Sequence, residues 1–253
     1  MSDSKVVMNL DEDEFIKAAM GNKGFTKDEG VIPFTKIMQP LSPEVGTIPM
    51  ATPGVFLNAA TNKVSRELLV VPVDIRWSYT EWVPRDQGGG FVFDWGENEA
   101  GWQDKCDGDQ KFAYQPSTKD GHNILKARHV FLFDVDEIGD FERTIYPMSG
   151  TALKVAKQWS TMMEYAPKVS TSKGMMTPAY FYYTYRLTTE EVKNSKGRWF
   201  VPKVTANIVE NKYVTVFELP NGKAIWDAAV KLRDDLASGE VKAASQEQVG
   251  DTY

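Results

Sequence analysis

Eleven consecutive residues, Leu69-Val-Val-Pro-Val-Asp-Ile-Arg-Trp-Ser-Tyr79, alternate with a period of two. Leu69, Val71, Val73, Ile75, Trp77 and Tyr79 fall on one face, and Val70, Pro72, Asp74, Arg76 and Ser78 on the other. A helix cannot satisfy this pattern, so the segment predicts a strand with one face in a core. A strand needs partners for its backbone polar groups, which commits the chain to a sheet. Pro72 lacks an amide hydrogen and points to an edge or a bulge.

The rest of the chain supplies partners. A glycine-rich turn, Pro84–Gly90, leads to a shorter strand, Phe91–Trp95. Residues 96–122 are rich in Gly, Asp and Asn and read as a long loop, with a short strand expected at Lys111–Gln115. Arg128–Val135 alternates again, with His129, Phe131, Phe133 and Val135 on one face. Ser149 is placed to cap a helix in which Leu153, Ala156, Trp159, Met163 and Ala166 follow helical spacing up to Pro167. An aromatic strand is expected over 178–190, a turn at Asn194–Gly197, and another strand over Arg198–Val209. A last helix starts at Asn221 or Gly222, buries Ile225, Ala228, Ala229, Leu232 and Leu236, and stops at Gly239.

Three strands, a helix and two strands is the element order of an OB-fold. Other five-stranded α+β sheets share that string. The expected class is mainly β (α+β): an OB-like five-stranded antiparallel barrel with one inserted helix, an irregular N-terminal arm and a C-terminal helix. Residues 1–30 form an acidic arm in which Asp11 and Glu14 can make a capping box. Residues 31–240 form a single OB-like domain, opening on a proline-rich irregular stretch over 31–55. Residues 241–253 form a flexible polar tail.

Composition narrows the function. The chain has 253 residues, 42% of them hydrophobic, and lacks the run of about 18 apolar residues that a membrane helix needs. Its N-terminus does not resemble a signal peptide. A cytoplasmic protein is expected. The lone Cys106 excludes an internal disulfide, and with only His122 and His129 it cannot complete a four-ligand zinc site. No metal or cofactor is expected, and no enzymatic motif stands out. Net charge is −6, yet residues 151–209 hold nine basic and three acidic side chains. Overall acidity disfavours a constitutive duplex-DNA binder but allows one basic groove.

That basic segment also holds nine Trp, Tyr or Phe residues. Cations neutralise phosphates and rings stack on bases, the two requirements of a single-stranded nucleic-acid site. As a strand, Tyr180–Arg186 would set Tyr182 beside Arg186, although a strand buried on both faces fits the same residues. Lys193–Phe200 forms a basic hairpin tip in which Lys196 and Arg198 precede Trp199, although a solvated turn does so too. Arg76 and Arg85 lie near Trp77 and Trp82, with Asp74, Glu81 or Asp134 as competing partners for Arg76. Asp86–Gly90 is a permissive turn rather than a Walker loop. Asp134 and Asp136 share a strand face and offer the carboxylates of a metal-dependent nuclease.

Four stretches together resemble a family of bacteriophage proteins. They are Pro33-Phe-Thr-Lys-Ile-Met-Gln-Pro-Leu-Ser-Pro43, Glu81-Trp-Val-Pro-Arg-Asp-Gln-Gly-Gly-Gly-Phe91, Leu153-Lys-Val-Ala-Lys-Gln-Trp-Ser160, and Tyr185-Arg-Leu-Thr-Thr189 with Asn194-Ser-Lys-Gly-Arg-Trp199. That family is associated with replication and recombination genes and with single-stranded DNA binding. The resemblance implies an OB-like protein that coats transient single strands without chemistry. The expected function is therefore non-enzymatic, sequence-tolerant single-stranded DNA binding through Arg76, Trp77, Trp82, Arg85, Tyr182, Arg186, Lys196, Arg198 and Trp199. A homo-oligomer and replication or recombination partners are expected. The alternatives are a structural or adaptor protein of a virion, and a metal-dependent nuclease.

Overall fold

A computed structural model of the chain describes residues 32–113, 115–195 and 197–239. Three short strands, β1 (Thr35–Ile37), β2 (Phe56–Asn58) and β3 (Val64–Ser65), form a small antiparallel sheet. The spine of the molecule is β4 (Leu68–Trp82), the strand predicted from alternation. Its end turns back as β5 (Phe91–Gly96), and a short helix, α1 (Glu99–Gln103), follows. Next come β6 (Asn123–Val135), β7 (Phe141–Ser149) and the helix α2 (Ala152–Glu164). A small ribbon, β8 (Val169–Thr171) with β9 (Gly174–Met176), precedes the hairpin β10 (Tyr185–Asn194) and β11 (Gly197–Ala206). A second ribbon, β12 (Ile208–Val209) with β13 (Lys212–Tyr213), leads to α3 (Gly222–Ser238).

The main sheet is antiparallel, in the order β11-β10-β4-β6-β7, with β5 also paired to β4. β4 pairs with β6 along nearly its whole length, with β10 only at Leu68–Val70, and with β5 only at Tyr79–Trp82. The register shifts between Pro72 and Asp74, which places a bulge at the proline as expected.

Both sheet faces carry a core, and alternation decides which residue joins which. Val70, Val130, Leu132 and Tyr146 pack with Ala156, Trp159 and Met163 of α2. Val71, Val73, Phe131, Phe133 and Ile145 pack with Ile225, Ala229, Leu232 and Leu236 of α3. The consecutive residues Val70–Val73 are therefore all buried, because helices cover both sides of this part of the sheet.

Four expectations are corrected. The protein is mainly β and antiparallel, but among the described residues no sheet closes into a barrel, and the main sheet has six strands rather than five. β7 and β11, which would have to pair to close it, do not. Residues 33–39 reach both strands instead. The Ile145 amide donates to the Pro33 carbonyl at 2.8 Å. The Gln39 side chain donates to the Phe200 carbonyl at 3.0 Å and accepts from the Phe200 amide at 2.9 Å. One side-chain amide thus takes the place of a strand neighbour.

The second correction concerns 178–190, which is not one strand. Tyr180–Tyr182 form a 3-10 turn and the strand begins at Tyr185. Phe181 enters the α3 core against Trp226 at 4.7 Å, while Tyr185 enters the α2 core against Trp159 at 5.8 Å. A run that must fill two cores on opposite sides cannot keep a single exposed aromatic face. Third, Gly108–Phe112 forms a 3-10 turn where a strand was expected. Fourth, α2 is preceded by Thr151 at its N-cap, since Ser149 ends β7. The acidic arm over 1–30, with Asp11 and Glu14, and the tail over 241–253 lie outside the described residues.

α3 runs to Ser238 and ends on Gly239 at φ 75°, as the sequence predicts. At its start a Cβ on Gly222 would lie 2.1 Å from the Val216 carbonyl oxygen. Alanine normally stabilises a helix over glycine by about 1 kcal/mol. Here Gly222→Ala is expected to destabilise by about 1–3 kcal/mol, because backbone must move to admit the methyl. A lower urea midpoint for the variant checks this.

His129, on β6, is 4% exposed, with the Phe34 ring edge-on at 5.4 Å. Burial pushes its pKa down from 6.5 to about 4. The unfolded chain therefore binds a proton that the native state refuses. Stability is full above about pH 6.5 and falls as pH drops toward 4, by up to about 3 kcal/mol. Urea unfolding at pH 7 and pH 4.5 should show this loss, and His129→Gln should show a smaller one.

Candidate functional site

A groove of about 930 Å³ opens on one face of the main sheet. Cross-strand pairing sets Ala127 opposite Ser149 and His129 opposite Pro147. Alternation then puts Asn123, Leu125, Pro147 and Ser149 on one face. This is the face that α3 covers further along, at Phe131 and Phe133. Asn123, Leu125, Pro147 and Ser149 all line the groove. The end of β4 contributes Trp82, the following loop Asp86, Gly89 and Gly90, the proline-rich stretch before β2 Lys36, Ile37 and residues 39–42, and β11 residues 198–202.

Each wall has a local reason for its position. Trp82 donates its indole hydrogen to Thr80 Oγ1 at 2.9 Å and meets Phe91 edge-on at 5.5 Å. Gly88, Gly89 and Gly90 take φ values of 106°, 68° and 126°, which lets the loop return so that the Val83 amide reaches the Gly90 carbonyl at 2.9 Å. Phe200 is pinned by Gln39 and lies so close to Gly54 that a Cβ there would sit 2.6 Å from its ring. Gly54→Ala should therefore push the Phe200 ring into the groove.

The lining is rich in rings and aliphatic groups and poor in charge. Lys36 is 5% exposed and bonds Glu44 at 2.7 Å. Asp86 is exposed. Arg198 is exposed at the hairpin tip, 3.7 Å from Glu191, which also lies 3.5 Å from Lys193. Arg198 therefore stands at the mouth beside the Glu191 carboxylate, and aromatic surface lies within.

The structure brings together three of the nine residues singled out in the sequence. Trp82, Arg198 and Trp199 line the groove. Arg85 begins the turn Arg85–Gln87 beside it, and Lys196 lies outside the described residues. The other four lie elsewhere. Arg76 is held by Asp74 at 2.7 Å and Glu97 at 3.4 Å. Trp77 is on the opposite sheet face, with the Arg128 guanidinium 4.4 Å from its ring centre and Tyr79 stacked at 6.1 Å. Tyr182 packs in its 3-10 turn against Tyr183 and Phe217. Arg186 bonds Glu67 and, at 3.0 Å, Asn207. Tyr182 and Arg186 therefore do not form the stacking face expected of a continuous strand.

Sequence reasoning missed Lys36, Asn123, Tyr146 and Phe200. Lys36 sits in a stretch whose prolines suggest only irregular chain, and no local pattern says that it folds over β7 and β11. The nuclease carboxylates are otherwise engaged. Asp134 bonds Lys63 at 2.8 Å, and Asp136 accepts from the amides of Ile138 and Asp140. Among the described residues, no three His, Cys, Asp or Glu side chains are grouped to hold a metal. Cys106 is buried, and burial pushes its thiol pKa up.

No helix among the described residues is long and apolar enough to cross a membrane. No curated protein and no solved structure matches the chain. Residues 3–242 match the Pam3 phage gp34-like protein family. That match runs through residues 34–42, the β4–β5 loop and the β10–β11 hairpin that together build the groove, and the chain belongs to this family of phage proteins.

Proposed function

We propose that the protein is a non-enzymatic binder of single-stranded DNA, acting in phage replication or recombination, and that the strand lies along this groove. One observation carries the reading. Trp82, from the β4–β5 turn, and Trp199 with Arg198, from the β10–β11 hairpin, line one groove across β6 and β7 although more than a hundred residues separate them in sequence.

The connectivity supports it. β4, β6 and β7 form a meander, α2 follows, and β10 returns to pair with β4 while β11 lies outside it. This is the strand order of an OB-fold, left open where β11 would meet β7. OB-folds bind oligonucleotides on their second and third strands, between the first loop and the last hairpin. The corresponding elements here are β6, β7, the residues after Trp82, and the β10–β11 turn. Bases would stack on the groove's rings, and phosphates would meet the cations at its mouth.

The charge distribution predicts a modest salt response. Lys193, Lys196 and Arg198 fall within six consecutive residues of the sequence. About three phosphate contacts give a slope of log affinity against log salt near −2, at about 0.7 per contact for single strands. Titration of labelled oligothymidine at several salt concentrations measures this slope. Affinity independent of salt, or no binding at low salt, removes the proposal. Large rings or lattices by light scattering without DNA affinity would favour the virion reading instead.

A further inference from the structure

We infer that copies of this chain bind each other through unlike patches: the methionine-bearing ribbon β8–β9 of one copy docks on the acidic β6–β7 turn of the next. Neither patch lines the groove, so the contact is separate from the single-stranded DNA reading. The ribbon has two three-residue strands, and five of their six residues are exposed. A lone two-stranded hairpin is marginal in water and gains stability by packing against something. Met175 is 62% exposed and Met176 49%. Register sets Ser170 opposite Met175 and Val169 opposite Met176, so each face of the ribbon offers one methionine. The unbranched thioether side chain adapts to an irregular partner. Exposed Lys168 precedes β8, and exposed Lys173 lies in the turn between the strands.

The β6–β7 turn carries the opposite charge and is held rigid. Asp136 Oδ1 accepts from the amides of Ile138 at 3.0 Å and Asp140 at 2.8 Å. Gly139, at φ 82°, lies so close to the Pro220 carbonyl oxygen that a Cβ would sit 2.3 Å from it. These contacts fix the turn and leave Ile138 77% exposed, flanked in sequence by exposed Glu137 and Asp140. Among the described residues, none of Lys168, Lys173, Glu137 and Asp140 is in an ion pair. One patch is apolar with cations beside it, the other apolar with anions. Both stay exposed in a single chain, so the match is made between copies. Nucleic acid would engage the lysines but not the acidic turn, whereas a second copy engages both patches at once.

Sedimentation velocity of the full chain without DNA tests this. Association is expected to grow with protein concentration up to about 0.1 mM, a range that registers contacts weaker than micromolar. Raising salt from about 0.1 M to about 1 M shortens screening from about 10 Å to about 3 Å and should weaken association about threefold. Ile138→Asn should weaken it about tenfold by removing buried apolar surface. Charge reversal is the sharper measurement. Lys168→Glu with Lys173→Glu, and separately Glu137→Lys with Asp140→Lys, should each abolish self-association. An equal mixture of the two variants should associate again, because each patch then meets one of opposite sign. Melting by circular dichroism confirms that both variants fold. A wild-type chain that stays monomeric throughout, or a mixture of folded variants that fails to associate, overturns the inference. Loss of oligothymidine affinity in the lysine variant with unchanged sedimentation assigns the ribbon to DNA and overturns it too.

Discussion

Replacing Trp82 and Trp199 together by alanine is expected to weaken binding of oligothymidine by at least about 30-fold, with no comparable loss of stability. Each ring offers one stacking face, and stacking contributes about 1–3 kcal/mol per base, so two rings give about 2–6 kcal/mol. Both are partly exposed, and neither belongs to the two cores that hold α2 and α3. Trp77→Ala is the matched control. Trp77 also carries a partly exposed indole, but on the opposite sheet face under Arg128. Its loss should leave DNA affinity within about twofold. Fluorescence anisotropy with the three proteins at one salt concentration decides the matter. A larger effect from Trp77→Ala than from the double variant would place the interface on the wrong side of the sheet.

Trp159→Ala is expected to cost about 3–5 kcal/mol of folding stability, enough to consume much of what a domain of this kind has. Trp159 is fully buried on α2, packs edge-on to Tyr185 at 5.8 Å, and stands among Val70, Leu132 and Met148. Truncation opens a cavity between helix and sheet that a rigid sheet cannot collapse to fill. Its indole nitrogen is buried with no hydrogen-bond partner among the described residues. Trp159→Phe therefore removes an unsatisfied donor along with one ring, and should cost clearly less than Trp159→Ala. Chemical denaturation of the two variants separates a packing loss from a polar one. Equal losses would mean that the indole hydrogen is satisfied after all.

Part of the candidate site was legible because turns announce themselves. The Gly88–Gly90 run and the Asn194–Gly197 turn mark two loops, and rings beside both loops drew Trp82, Arg198 and Trp199 into one list. The same reasoning overreached with Trp77. Trp77 and Trp82 are five residues apart on one strand, an odd separation, so a period of two puts them on opposite faces. Arg76 shares the face of Trp82 by alternation, but Asp74 and Glu97 hold its guanidinium. The tyrosine-rich run misled for another reason. β propensity describes a residue's fit to a pleated surface, and it cannot reveal that Phe181 and Tyr185 are needed in separate cores.

The strand over Leu69–Tyr79, its bulge at the proline, the spacing of α2 and the span of α3 up to Gly239 were fixed by residues near one another in the chain, although the bulge swaps the faces, so Leu69 and Val71 lie opposite Ile75, Trp77 and Tyr79 instead of sharing their face as the unbroken alternation predicts. Local periodicity records which face each side chain shows, and local turn chemistry records where an element stops. The proline-rich stretch before β2 was different. That residues 33–39 would fill the gap between β7 and β11, bring buried Lys36 to the groove and pin Phe200 through Gln39 depends on contacts spanning more than a hundred residues. Such contacts leave no periodic trace in either partner, because one side-chain amide and one backbone pair do the joining. Only the folded chain reveals them.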